Sequence, residues 1–130
     1  GFRGPVGPQD YAHECPSRRA IWIYGVGSAN PAMWTVLHLD AAPRKPARLV
    51  LTAQDDDKAG TVAIRVTVNG QTVFEGPNTC AEHNWSAQEI AVPAGVLKAG
   101  DNEIRIATTQ PSKAFDQGWF MLAECVMLVE

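Results

Sequence analysis

The sequence predicts an all-β domain, an antiparallel sandwich of two sheets, and three observations carry that prediction. Thr61 to Val68 alternates with a period of two, with Val62, Ile64, Val66 and Val68 on one side and Arg65 and Thr67 on the other. Asn69-Gly70 follows at once, a hairpin signature because a type I′ turn needs positive φ at both central positions. The stretch from Asn84 to Ile106 then spells out a short strand ending in Ala91-Val92-Pro93 and a tight connection at Gly95-Val96-Leu97. After these come a turn at Gly100-Asp101-Asn102 and a new alternating strand.

The remaining elements fall in order around these. Residues 1–19 hold three prolines and three glycines with no apolar periodicity, and are expected to form an irregular lead-in or linker. Ala20 to Val26 is the first expected strand, rich in branched and aromatic side chains. A turn at Gly27 to Pro31 leads to a second strand over Ala32 to Asp40, with Thr35, Leu37 and Leu39 on one face and Trp34, Val36 and His38 on the other. Pro43 and Pro46 bracket a connection to a third strand, Ala47 to Ala53, and Gln54 to Gly60 is a polar loop with three consecutive aspartates. Gln71 to Glu75 returns from the hairpin, and Gly76 to Asn84 is a long loop. Gln110 to Gly118 is a second polar loop. Trp119 to Val129 is nearly continuously apolar, the pattern of a central strand buried on both faces. About eight strands and no amphipathic helix make a jelly-roll sandwich, a single domain over residues 20–130.

Size and composition agree. At 130 residues the chain can bury one core, and 45% hydrophobic with 19% charged residues are globular values. A net charge of −3 and a pI near 5.6 argue against nucleic acid, which demands clustered Lys and Arg. No apolar run approaches the roughly 20 residues that span a bilayer. With no initiating Met or signal peptide, the chain is expected to be an excised domain or mature fragment. The spacing of Cys15, Cys80 and Cys125 excludes a C-x-x-C motif. Cys125 reads as a small buried hydrophobe, and a Cys15–Cys80 disulfide stays open.

Several stretches resemble the galactose-binding-domain-like jelly rolls appended to polysaccharide lyases and glycoside hydrolases. They are M-W-T-V-L-H-L around Trp34, Arg48 to Ala53, V-T-V-N-G-Q-T-V-F at Val66 to Phe74, I-A-V-P-A-G-V-L-K-A-G-D-N-E-I-R-I, and the final G-W-F-M-L-A-E-C-V-M-L. The C-terminal sandwich of rhamnogalacturonan-lyase-like enzymes and related carbohydrate-binding modules look nearest. The resemblance implies a non-catalytic module that captures a polysaccharide or oligosaccharide, carried on the same parent chain as a catalytic domain and secreted. It implies no required cofactor, and a structural calcium is compatible with it. It also suggests that the 54–60, 76–85 and 110–119 loops converge at one end. Many domains of this type only brace a neighbour, and the fold does not choose between these roles.

Sugar recognition needs an aromatic face for the apolar side of a pyranose and planar polar groups for its hydroxyls. Trp85, flanked by His83 and Asn84, meets that requirement, as does Trp119, preceded by Asp116 and Gln117. The competing reading gives all four tryptophans to packing; it is preferred for Trp22 and Trp34, inside strands, and also leads for Trp119. With Glu82, Asp116 and the aspartates nearby and only Lys113 as counter-charge, a neutral glycan suits these loops better than a uronate. Asp55-Asp56-Asp57 lacks the ligand spacing of an EF-hand loop and is expected to be a solvated acidic turn, with calcium as the alternative. Glu124, inside an apolar strand, needs a compensating partner or a bulge that turns it to solvent. Catalysis has no supporting motif: His13, His38 and His83 lack metal spacing, and there is no G-x-S-x-G elbow.

Overall fold

Period-two patterning becomes two facing sheets in the computed structural model, which describes residues 2–3, 9–10, 19–55, 60–111 and 118–130. The strands are β1 (Gln9–Asp10), β2 (Arg19–Ile23), β3 (Ala32–Leu39), β4 (Ala47–Asp55), β5 (Ala63–Val68), β6 (Gln71–Pro77), β7 (Ser86–Val92), β8 (Gly100–Thr108) and β9 (Phe120–Leu128). One sheet has the order β1-β2-β9-β4-β7 and the other β3-β8-β5-β6, with every pairing between these strands antiparallel. The fold is therefore the all-β, two-sheet sandwich that the alternation predicts. No helix among the described residues is long and apolar enough to cross a membrane.

The core lies between the sheets and is built from alternate residues of each strand. Ile64, Val66 and Val68 face Leu49, Leu51 and Ala53 across the interior with Ile104, Ile106, Ile90 and Phe120, all at most 3% exposed. Each such aliphatic side chain contributes about 1.5–3 kcal/mol of burial free energy, opposed by the entropy of ordering the chain.

The end of the sandwich that carries the hairpin is fastened by two asparagines. Asn69 and Gly70 take φ of 52° and 79°, as the type I′ turn requires. Asn69 Nδ2 donates to Val96 C=O at 2.9 Å and to Asn102 Oδ1 at 2.8 Å, while its Oδ1 accepts from Glu103 N–H at 3.0 Å. Asn102, fully buried, accepts from Lys98 N–H and donates to Lys98 and Gly100 carbonyls at 2.9–3.0 Å. Hence the V-N-G hairpin and the L-x-x-G-x-N turn close on each other.

Two parts of the chain differ from expectation. The lead-in is not wholly irregular: Gln9–Asp10 pair with β2, and Arg3 exchanges two backbone hydrogen bonds with Trp34, of 2.6 and 2.7 Å. The edges of β2 and β3 present unpaired N–H and C=O groups, and these short segments satisfy some of them. The final strand is central but buried on both faces only over Phe120–Leu122, the part that pairs with β2. Beyond that a bulge against Thr52/Ala53 resets its phase. Glu124 is thereby exposed, and Val126 and Leu128 are 39% and 42% exposed. A carboxylate in the core would lack a partner, so the bulge removes a desolvation cost.

Candidate functional site

Four connections meet at the opposite end, because β2, β4, β6 and β8 finish there and β3, β5, β7 and β9 begin there. The registers fix this, with Ile23 opposite Phe120, Ala32 opposite Ala107, Ala53 opposite Ser86 and Ala63 opposite Pro77. The described parts of these connections, residues 24–31, 60–62, 78–85, 109–111 and 118–119, therefore share one end. Backbone hydrogen bonds stitch their described parts together. Val26 N–H donates to Gln110 C=O at 2.7 Å, Thr109 N–H to Ala63 C=O at 3.0 Å and Asp55 N–H to Ala81 C=O at 3.0 Å.

Asp55 stands at the centre of this end. It is 3% exposed because the inward alternation of Leu49, Leu51 and Ala53 continues through it. Its Oδ2 accepts from Val62 N–H at 2.7 Å and from Asn78 Nδ2 at 2.6 Å. Its carbonyl accepts from His83 N–H at 2.8 Å. The expectation of a solvated acidic turn is corrected at this residue, where the strand's periodicity outweighs the composition of the run. Asp56 and Asp57 lie outside the described residues. Among the described residues no group of three or more His, Cys, Asp or Glu side chains is placed to hold a metal ion, and Asp55 Oδ2 already has two protein donors.

The 78–85 loop is held along its length. Asn78 donates to Val62 C=O through both its backbone N–H and its Nδ2 at 2.9 Å, and its Oδ1 accepts from Cys80 N–H at 2.9 Å. Thr79 N–H reaches Gln88 Oε1 at 3.0 Å, and Ala81 N–H reaches Ser86 Oγ at 2.7 Å. His83 takes φ of 53°, a left-handed conformation in which His, Asn and Asp are enriched among residues other than glycine. Its Nε2 lies 3.6 Å from Glu82 Oε1, with both side chains more than half exposed, so that pair contributes little. Cys80 carries a free thiol, pushed up to about 11 chiefly by burial. Its proposed partner Cys15 lies outside the described residues.

The aromatic residues occupy defined places. Trp85 precedes β7, and the Ala53–Ser86 register sets it opposite Gln54, on the outer face of the five-stranded sheet with Ala87, Glu89 and Ala91. It is half-buried, with Nε1 buried and without a hydrogen-bond partner among the described residues. Gln54 pairs with Met121, and Met121 with Trp22. A row thus crosses the sheet from Trp22 to Trp85, about 14 Å between backbones at the usual strand spacing. Trp119 meets Tyr24 edge to face, with centroids 5.3 Å apart at 82°, and burial raises the Tyr24 phenol above its ordinary value. Gly118 is pressed against Gly25, where an added Cβ would lie 2.7 Å from the Gly25 nitrogen.

Of the residues named from sequence, His83, Asn84, Trp85 and Trp119 come to this end; Asp116 and Gln117 lie outside the described residues, as does Lys113. His38 sits on β3 towards the other end, with Nδ1 2.8 Å from Asp101 Oδ1, far from His83. Trp34, on the outer face of the four-stranded sheet, carries the Arg105 guanidinium 5.5 Å from its ring centroid. A cleft of about 450 Å³ lies between the sheets beside Phe2, Leu37, Cys125 and Met127; its apolar walls suit hydrocarbon better than hydroxyls. Sequence reasoning missed Asp55 and Asn78 as the residues that fix the loop. The available signal was the period of β4, which points Asp55 inward.

The two-sheet sandwich is similar in fold to several solved carbohydrate-binding modules. Among solved structures, a family 35 carbohydrate binding module from Clostridium thermocellum is similar over 99% of this chain and 98% of its own, at 17% identity and a TM-score of 0.66. The EclA C-terminal domain, described as a sugar-binding protein, matches 85% of this chain and 78% of its own at 12% identity, with a TM-score of 0.60. A family 36 module in complex with calcium and xylotriose matches 100% and 99% at 12% identity, with a TM-score of 0.53. No family model and no curated protein sequence matches the chain. The resemblance read from the sequence is borne out at the level of the fold.

Proposed function

We propose that this domain is a non-catalytic carbohydrate-binding module of a secreted polysaccharide-degrading enzyme. The observation that carries the reading is the likeness to carbohydrate-binding modules over nearly the whole chain. The convergence of four connections around His83, Asn84 and Trp85 supports a site at that end. In this reading Trp85 stacks on a sugar ring while His83 and Asn84 meet hydroxyls, with Asp116, Gln117 and Trp119 from the neighbouring connection. The exposed Glu82 disfavours uronates and favours a neutral glycan of the galactan, rhamnan, xylan or glucan kind. Calcium is not required for this contact; a structural ion bound elsewhere is compatible with it. Capture is shallow and weak, and its benefit is a raised effective concentration of the parent enzyme on its substrate. Affinity electrophoresis against a panel of plant and algal polysaccharides tests the reading: retardation by at least one neutral glycan is expected, and none by any of them would overturn it.

A second reading is favoured by two specific observations, the burial of Trp85 Nε1 and the Tyr24–Trp119 packing. It makes the domain a structural accessory that braces a catalytic neighbour without binding sugar. Reducing-end and unsaturated-product assays on the isolated domain address catalysis, and no turnover is expected.

A further inference from the structure

We infer that Asp55 and Asn78 are positioning residues for the glycan site, an inference that rests on the reading above. At 3% and 4% exposed, neither can touch a ligand, so any influence must pass through the loops they join. Together they bind Val62, Cys80, Ala81 and His83, linking the 56–62 connection to the 78–85 connection.

Three features distinguish this pair from ordinary packing. First, Leu49, Leu51 and Ala53 precede Asp55 on the same face, so an apolar residue would continue the core without desolvating a carboxylate. Second, His83 holds a left-handed backbone, which persists only where the surroundings over-determine it. Its N–H bond to the Asp55 carbonyl is part of that constraint. Third, the fixed segment is the one bearing His83 and Asn84. A shallow sugar site gains little free energy per contact, and ordering a loop at the moment of binding would cancel much of it. A loop already fastened from below avoids that loss.

The test uses three variants of the whole chain, Asp55→Ala, Asp55→Asn and Asn78→Ser. Readouts are the dissociation constant for a polysaccharide that retards the wild type, xylan or a β-glucan, well below the melting temperature, and hydrogen exchange at the His83 amide. Asp55→Ala should weaken binding at least tenfold and speed exchange at His83 with the far-ultraviolet spectrum intact. Asp55→Asn keeps an oxygen within reach of both donors and should bind within threefold of wild type. Should Asp55→Ala fail to fold, Asn78→Ser carries the test, with the same loosening of His83 and weaker binding expected. A folded Asp55→Ala or Asn78→Ser protein that melts earlier yet binds with unchanged affinity overturns the inference and leaves the function standing. Wild-type protein retarded by no polysaccharide overturns the function, and the inference with it.

Discussion

Replacing Trp85 by alanine separates a glycan contact from a packing residue, because its two costs are read by different assays. Truncating a fully buried tryptophan costs about 3–5 kcal/mol. Trp85 is half-buried, with only its pyrrole edge shown to be inside, so Trp85→Ala should cost about 2 kcal/mol of folding stability. For a chain of 130 residues that lowers the melting temperature by roughly 6–10 °C. Domains of this size carry about 5–15 kcal/mol, so the variant stays folded at room temperature. Loss of an anchoring aromatic costs binding about 2 kcal/mol, roughly thirtyfold in affinity, enough to abolish retardation for a weak binder. The paired assays are a circular-dichroism melt and affinity electrophoresis in polysaccharide gels. A variant that melts as calculated but is retarded like the wild type refutes the role given to Trp85. A variant unfolded at 25 °C assigns the residue to packing.

Three further outcomes follow from other parts of the molecule. Asn102→Ala removes a fully buried side chain together with its hydrogen bonds to Lys98, Gly100 and Asn69, and urea unfolding should report a loss of about 3 kcal/mol with glycan retention unchanged, since the change lies at the far end. Gly118→Ala sets a Cβ 2.7 Å from the Gly25 nitrogen at a φ of +75°; a loss above about 2 kcal/mol is expected, and an unchanged melt would contradict the close approach. Burial pushes the Cys80 and Cys125 thiols up to about 11 and about 12. Because their folded values exceed the ordinary thiol value, the folded state holds these protons more tightly. That contribution is complete below pH about 8.5 and falls as pH rises towards 11 and 12. Melting temperature should decline across that window, and alkylation at pH 8 should be slow in the native protein and fast in urea.

Much of the fold was legible because local chemistry dictates it. Asn69-Gly70 admits one kind of turn, and the β5 alternation fixes which faces of that strand are wet. The candidate site was legible only in part. Trp85 announces a loop edge by its neighbours, but its place opposite Gln54 on the outer sheet face depends on the β4–β7 register, which no local stretch encodes. Asp55 shows the limit from the other side: three consecutive aspartates suggest solvent, and only the alternation of the preceding strand points the first of them inward. The pairing of Arg3 with Trp34 likewise depends on an edge strand distant in sequence.

The bulge in β9 has a consequence for how this domain tolerates change. Leu122 stands opposite Ala53 and Glu124 opposite Thr52, so Ala123 has no position of its own in the ladder and acts as a frame shift of one residue. Deleting it would restore simple alternation with every downstream side chain on its present face, whereas pairing the intact sequence without the bulge would invert everything downstream. Glu124 would turn inward, while Cys125 and Met127, now packed against the core, would turn to water. The bulged position is therefore where this strand best tolerates the loss of a residue, a small, half-buried alanine, whereas a deletion further along would turn the residues after it to the opposite face.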